Sequence, residues 1–382
     1  MPRTIKIAAI QMDANPAPTA NRLARAENLV TQAAEAGADL VVLPEIFNTG
    51  YGYSDENYQR AEPITGVTAT WMQEAAQQLD IHLAGSLMLL DQREVYNSLL
   101  LFAPDGRQWR YDKNYPWAWE RGYFREAKGI TIADTDLGDI GLMICWDSAH
   151  RTLWRHYAGR TKLMLITSCP PDGTNPTYHF PYSDPLTIES LGPMMARLKG
   201  TGRKVFGDMI NEQTAWLGVP AVNTVGTGPI RTALPNGTTS LLAMIPTAPW
   251  LIKYLPQAEQ VEMSCEMIQG CKVVNAKGEV LTELAQSDGE TFTIAEVILP
   301  DEKPAPHTPQ PPSRLPWLAY LTSDYIIPSI TSSTYRQGLR RTFGNHMAPM
   351  DQTTLWRVVI IGVLGGVALT LLFRKLLGSR MK

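Results

Sequence analysis

The chain has 382 residues, 44% of them hydrophobic, enough to bury a large core in one large domain or two smaller ones. Its formal net charge is −3 with both signs mixed along the sequence, which argues against a basic polyanion-binding surface and gives no reason to expect a nucleic-acid partner. Four cysteines make no disulfide framework at this length, and Cys265 and Cys271 in CEMIQGC lack the spacing of common zinc sites, so the chain suits a reducing compartment.

The apolar run in PRTIKIAAIQMD stops at Gln11 and Asp13, too soon for a signal-peptide core, and predicts a first core strand. A helix is expected from about Asn21 to Ala36, ending before Gly37, and DLVVLPE follows as a short β-branched strand, completing a β-α-β unit. A helix near Ala69 to Leu79 leads into IHLAGSLML, and VYNSLLLFAP with GRQWRYDK predicts a hairpin turning at Pro104, Asp105 and Gly106. The second half repeats the theme: DIGLMICWD, a helix from about Ala149 to Tyr157, KLMLITS, a helical stretch around Val205 to Trp216, and VPAVNTV. Such alternation predicts an α/β fold with a largely buried sheet. Within residues 239–256, SLLAMIPTAPWLIKYLP is apolar, aromatic and broken by proline. It reads as a subunit-interface element, or as a membrane-facing flap that admits an apolar, lipid-like amide.

We expect the domain to end near residue 300. Beyond it, DEKPAPHTPQPPSRLP is too proline-dense to continue a helix or a sheet, and LPWLAYLTSDYIIPSI is interrupted by Asp324 and Pro328, so residues 301–354 read as a linker with an interfacial segment; the alternatives are a proline run packed along the domain surface and a segment docked on a partner subunit. Val358 to Phe373 carries no charge; as a helix it would be roughly 24 Å long at about 1.5 Å per residue. Leu355, Trp356, Arg357, Arg374 and Lys375 extend it toward the ~30 Å of a bilayer core. Residues 355–376 are therefore expected to form a transmembrane helix with a short basic tail at 377–382. Gly362 and Gly366 form a small-residue pair on that helix. The expected location is a membrane, with the catalytic domain in the cytosol.

Cys145 closes an apolar strand, Glu45 closes another, and Lys113 follows the hairpin. Ligands gather beyond strand ends in α/β sheets, which would bring the three together. A neutral thiol is a weak nucleophile, so Cys145 needs a base such as Glu45, and Lys113 would stabilise an oxyanion together with a backbone N–H near Trp146. Trp117, Trp119 and Trp146 are candidate pocket residues. Cys169 follows the next strand and reads as core packing, and Asp147 as support for the local turn. His82, His150 and His156 allow a cysteine–histidine arrangement, for which the sequence shows no placement.

The segments VVLPEIFNTGY, KNYPWAWERGYF followed by GI, and GDIGLMICWD resemble the nitrilase superfamily of carbon-nitrogen hydrolases, and the resemblance covers roughly residues 5 to 300. It implies a four-layer α-β-β-α sandwich that forms a homodimer or higher homo-oligomer. It also implies Glu45 as base, Lys113 as oxyanion cation, Cys145 as nucleophile and Glu120 as a second glutamate that positions the lysine, with no metal or organic cofactor. The chain departs from the family pattern at Asn114, where many members have histidine, and after the nucleophile, where SAHRTLWR replaces Arg-aromatic-Pro-Glu; Arg151 is the candidate replacement for that arginine. The expected function is a membrane-anchored thiol hydrolase acting on a small-molecule amide or nitrile, with membrane lipid as a second partner. The alternatives are acyl transfer at the same site and a catalytically silent membrane scaffold.

Overall fold

Side-chain alternation along the first strand sets the layering. In the computed structural model, which describes residues 3–344 except Pro246, that strand runs Arg3–Asp13, and successive side chains point to opposite faces. Ile5, Ile7 and Ala9, with Leu40 and Val42 of the strand Leu40–Val42, bury in one cluster with Leu142, Ile144, Leu163 and Leu165 of a second sheet. Ala8, Ile10 and Met12, with Val41 and Leu43, bury instead with Leu23, Ala26 and Val30 of the helix Thr19–Glu35 and with Met72 of the helix Val67–Gln78. Trp154 and Tyr157 of the helix Arg151–Tyr157, and Met209 and Trp216 of the helical stretch Thr201–Leu217, belong to the cluster of the second sheet. Two sheets thus face each other between helices, the α-β-β-α order that the resemblance implies. The helices expected over 21–36, 69–79, 149–157 and 205–216 form within a few residues of those bounds.

In the first sheet Arg3–Asp13, Leu40–Val42 and His82–Asp91 run parallel, with Ile7 opposite Leu40 and Leu40 opposite His82. The expected hairpin follows, Glu94–Phe102 pairing antiparallel with Gln108–Asp112, and Thr291–Leu299 pairs antiparallel with the first strand. In the second sheet Gly138–Ile144, Leu163–Thr167 and Ala221–Thr224 are parallel, so Ile144, Thr167 and Thr224 stand level. A smaller antiparallel sheet orders Leu186–Thr187, Thr177–His179, Glu262–Glu266 and Pro229–Ala233. The parallel strands of both sheets therefore deliver Glu45, Cys145 and Cys169 just past their carboxyl ends.

The domain does not stop near 300. The compact unit that contains the sheets runs to Leu339, and the region read as linker and interfacial segment folds into it. Gln310 donates to Gln213 Oε1 at 2.7 Å and to Arg151 O at 3.0 Å, the backbone N–H of His307 donates to Trp216 O at 2.8 Å, and Arg314 pairs with Glu212, so the proline run lies along the second sheet's helices. Helix then forms over Trp317–Phe343, with a π turn at Leu321–Ile326 ahead of Pro328. The widened turn accommodates the proline that, from sequence alone, reads as a break. Tyr335 accepts from the Val95 N–H at 3.1 Å and donates to Glu94, and Gly338 abuts the Tyr58 ring so closely that a Cβ there would overlap it. Among the described residues no helix is long and apolar enough to cross a membrane; the expected span 355–376 and tail 377–382 lie outside them. Since Tyr335 is buried and doubly bonded, Tyr335→Ala is expected to lower the unfolding free energy in urea by about 3 kcal/mol, against less than ~0.5 kcal/mol for a residue in a solvated linker.

Candidate active site

Glu45 lies three residues past Val42, fully buried, and its carboxylate accepts from three donors: Lys113 Nζ at 2.7 Å, Asn97 Nδ2 at 2.7 Å and the Cys169 N–H at 2.8 Å. The loop that carries it is tightly held. Ile46 has a φ of +52°, unfavourable for a β-branched residue, and is fixed by its N–H to Ser86 Oγ at 3.0 Å, while the buried Arg22 guanidinium donates to the carbonyls of Phe47, Asp13 and Asn15. Ser86 also donates to Asn97 Oδ1 at 2.9 Å, which turns the Asn97 amide toward Glu45.

Lys113 follows the strand Gln108–Asp112, and its Nζ also donates to Glu120 Oε2 at 2.6 Å. Burial opposes the ammonium charge, yet Glu120 and Glu45 outweigh it and raise Lys113 well above its ordinary value, so it stays charged. Glu120 sits in the 3-10 turn Ala118–Gly122, where the Trp117 N–H donates to Oε2 at 2.8 Å and the Tyr51 hydroxyl to Oε1 at 2.5 Å. Burial raises the Glu120 carboxyl, Lys113 opposes that rise and Glu45 adds to it.

Cys145 begins a 3-10 turn directly after the strand Gly138–Ile144, at a φ of +49°. Asp147 holds this elbow, accepting from the Tyr111 hydroxyl at 2.7 Å, the Tyr115 N–H at 2.8 Å and the Ile144 N–H at 3.2 Å, the structural role expected of it. Burial, then the Glu45 charge, pushes the thiol well above its ordinary value, with Lys113 and the Cys169 N–H opposing. The resting nucleophile is thus a neutral thiol beside a carboxylate.

Cys145 and Glu120 line a cavity of about 170 Å3 together with Trp117, Trp119, Trp146 and Tyr51. Glu45 and Lys113 stand behind that wall. Trp119 donates its indole N–H to Ser240 Oγ at 3.3 Å and Trp146 to Asp324 Oδ1 at 2.9 Å, so both present carbon to the cavity. Asp324, whose carboxyl burial raises to about 6, comes from the helix that follows the proline run; it and Asn97 and Tyr51 are absent from the site read in the sequence. Asn97 was signalled only as a polar residue inside the apolar run VYNSLLLF, and Tyr51 only by its place after Glu45.

The remaining candidates lie elsewhere. Arg151 does not replace the missing arginine, since it donates to Gln310 O at 3.0 Å on the proline run. Cys169 contributes its N–H, while its thiol packs beside Gly226. His150 stacks on Tyr115 at 3.5 Å with Nε2 3.5 Å from Asp324, and burial lowers it to about 3, too weak a base for a cysteine–histidine pair. His82 pairs with Asp136, and His156 is exposed.

Residues 6–195 match the family model for carbon-nitrogen hydrolase. The chain carries a carbon-nitrogen hydrolase domain. It is similar to the nitrilase of Pyrococcus abyssi, 30% identical over 147 residues that cover 37% of this chain and 56% of the relative. It is also similar to an omega-amidase of Mus musculus, 32% identical over 178 residues covering 43% and 62%. Among solved structures, a mutant amidase from Nesterenkonia AN1 superposes with a TM-score of 0.54 at 19% identity, covering 78% of this chain and 92% of that one, a likeness of fold. The chain spans about half to three fifths of the length of these curated relatives. Within the carbon-nitrogen hydrolase domain the elevated thiol has a direct readout. Alkylation of Cys145 by iodoacetamide is expected to keep rising as pH passes 9, because a raised pKa leaves less thiolate at neutral pH; a plateau reached below pH 7 would contradict it.

Proposed function

We propose that the domain hydrolyses a non-peptide carbon–nitrogen bond, in an amide or nitrile, through a thioester on Cys145. The observation that carries this reading is the Lys113 ammonium held at 2.7 and 2.6 Å between Glu45 and Glu120, behind a cavity that Cys145 lines. With an amide, Glu45 takes the thiol proton as sulfur attacks the carbonyl carbon, and the oxyanion forms against Lys113 and the Trp146 backbone N–H. Collapse breaks the C–N bond as Glu45 returns the proton to the departing amine. A water then gives a proton to Glu45, adds to the thioester carbon and releases the acid, and the proton returns to sulfur. Glu120 acts as a positioning residue, keeping Lys113 charged and aimed. The relatives named nitrilase and omega-amidase support nitriles and amides as the electrophiles. The apolar sequence of residues 355–376 supports a further proposal, that a single C-terminal helix anchors this domain to a membrane from the cytosolic side.

Ammonia release from a panel of primary amides and nitriles by the full-length chain tests the reaction. Turnover is expected to fall by about a thousandfold or more in Cys145→Ala and in Lys113→Ala. Added hydroxylamine separates the two enzymatic readings, since capture of most of the acyl group as hydroxamate at low nucleophile concentration would favour acyl transfer. An inert full-length chain would favour the scaffold.

A further inference from the structure

We infer that the site takes an uncharged substrate whose acyl group is an apolar chain, held in a chamber that the helix after the proline run closes. This rests on the hydrolase reading and names its substrate class.

About half of the chamber wall comes from outside the residues that match the family. Met244 belongs to the helix Gly237–Met244, and Leu318, Ile326, Ile327 and Ile330 to the helical run Trp317–Phe343. Two π turns, Val205–Met209 and Leu321–Ile326, supply Phe206 and Ile326; such turns widen a helix and recur at functional sites. The apolar insert at residues 239–256 therefore faces inward on one side, while Leu242, Trp250 and Ile252 stay exposed.

No lysine, arginine or histidine is among the described lining residues. Lys113 is already shared by two carboxylates, so an anionic acyl group would find no free counter-ion and would face the Glu120 carboxyl, and an unpaired charge in an apolar cavity is costly. Several of the lining hydroxyls are engaged by the protein: Thr201, Thr247 and Thr322 donate to the carbonyls of Leu198, Met244 and Leu318, and Ser240 to that of Pro235. One water needs roughly 10–15 Å3 of such space, so a cavity of about 170 Å3 far exceeds what an ammonia leaving group requires. The acyl group stays on sulfur through both chemical steps while the amine departs after the first, which assigns the enclosed apolar volume to the acyl side.

The test compares kcat/KM of the full-length chain for acetamide, hexanamide, octanamide and succinamic acid. Values are expected to rise severalfold with each added methylene until the chamber fills, with succinamic acid about a hundredfold or more below hexanamide. Ile330→Trp, which fills the chamber, should depress octanamide turnover about tenfold more than that of acetamide. Rates that are flat or falling with chain length, or that favour succinamic acid, overturn the inference and leave hydrolysis intact. Calorimetry on Cys145→Ala gives an answer that does not depend on turnover. Octanamide should bind more tightly than acetamide and succinamic acid, and equal or absent binding overturns the proposal even if no amide is cleaved.

Discussion

One ammonium between two buried carboxylates is the constraint on which the site depends. Glu45 comes from one loop and Lys113 and Glu120 from another, the connection that follows the strand Gln108–Asp112, and all three side chains are fully buried. Charges taken out of water are tolerated only when paired and hydrogen-bonded, and stranding one typically costs about 3–5 kcal/mol. The two loops therefore cannot shift independently. The satellite bonds follow from the same demand: Asn97 and the Cys169 N–H on Glu45, Tyr51 and the Trp117 N–H on Glu120. Positive φ at Ile46, Ala118 and Cys145 is the local cost of aiming these groups at one point.

That arrangement decides how the thiol is used. Lys113 cannot ionise Cys145 on its own, since its charge is divided between two carboxylates, and burial with the Glu45 charge keeps the thiol protonated. In the proposed reaction the nucleophile is therefore made by proton transfer to Glu45 in step with attack.

What the sequence shows and what it hides divide along the range of the interactions. Strand periodicity and the residues closing each strand disclosed the α/β alternation and offered Glu45, Lys113 and Cys145 as candidates, because each is a local signal, whereas Glu120 came only with the resemblance carried by KNYPWAWERGYF. Asn97, Tyr51 and Asp324 join the site through contacts between distant parts of the chain, 178 residues apart for Trp146 and Asp324, and carry no local mark. The proline run misled for the same reason. Composition reports that such a stretch cannot form regular structure on its own, but not that Gln310, His307 and Arg314 tie it to a folded surface. In the sequence Asp324 and Pro328 read as interruptions of an interfacial segment. One accepts a hydrogen bond beside the nucleophile, and the other follows a π turn, so the helix they occupy forms a wall of the cavity.

The thioester on Cys145 is the central claim, and acid-quench mass spectrometry of the full-length chain turning over a primary amide tests it most directly. The account predicts a peptide containing Cys145 heavier by the acyl group, with both the adduct and ammonia release lost in Cys145→Ala. An acyl group found on another residue, or ammonia release that persists in Cys145→Ala, would contradict it.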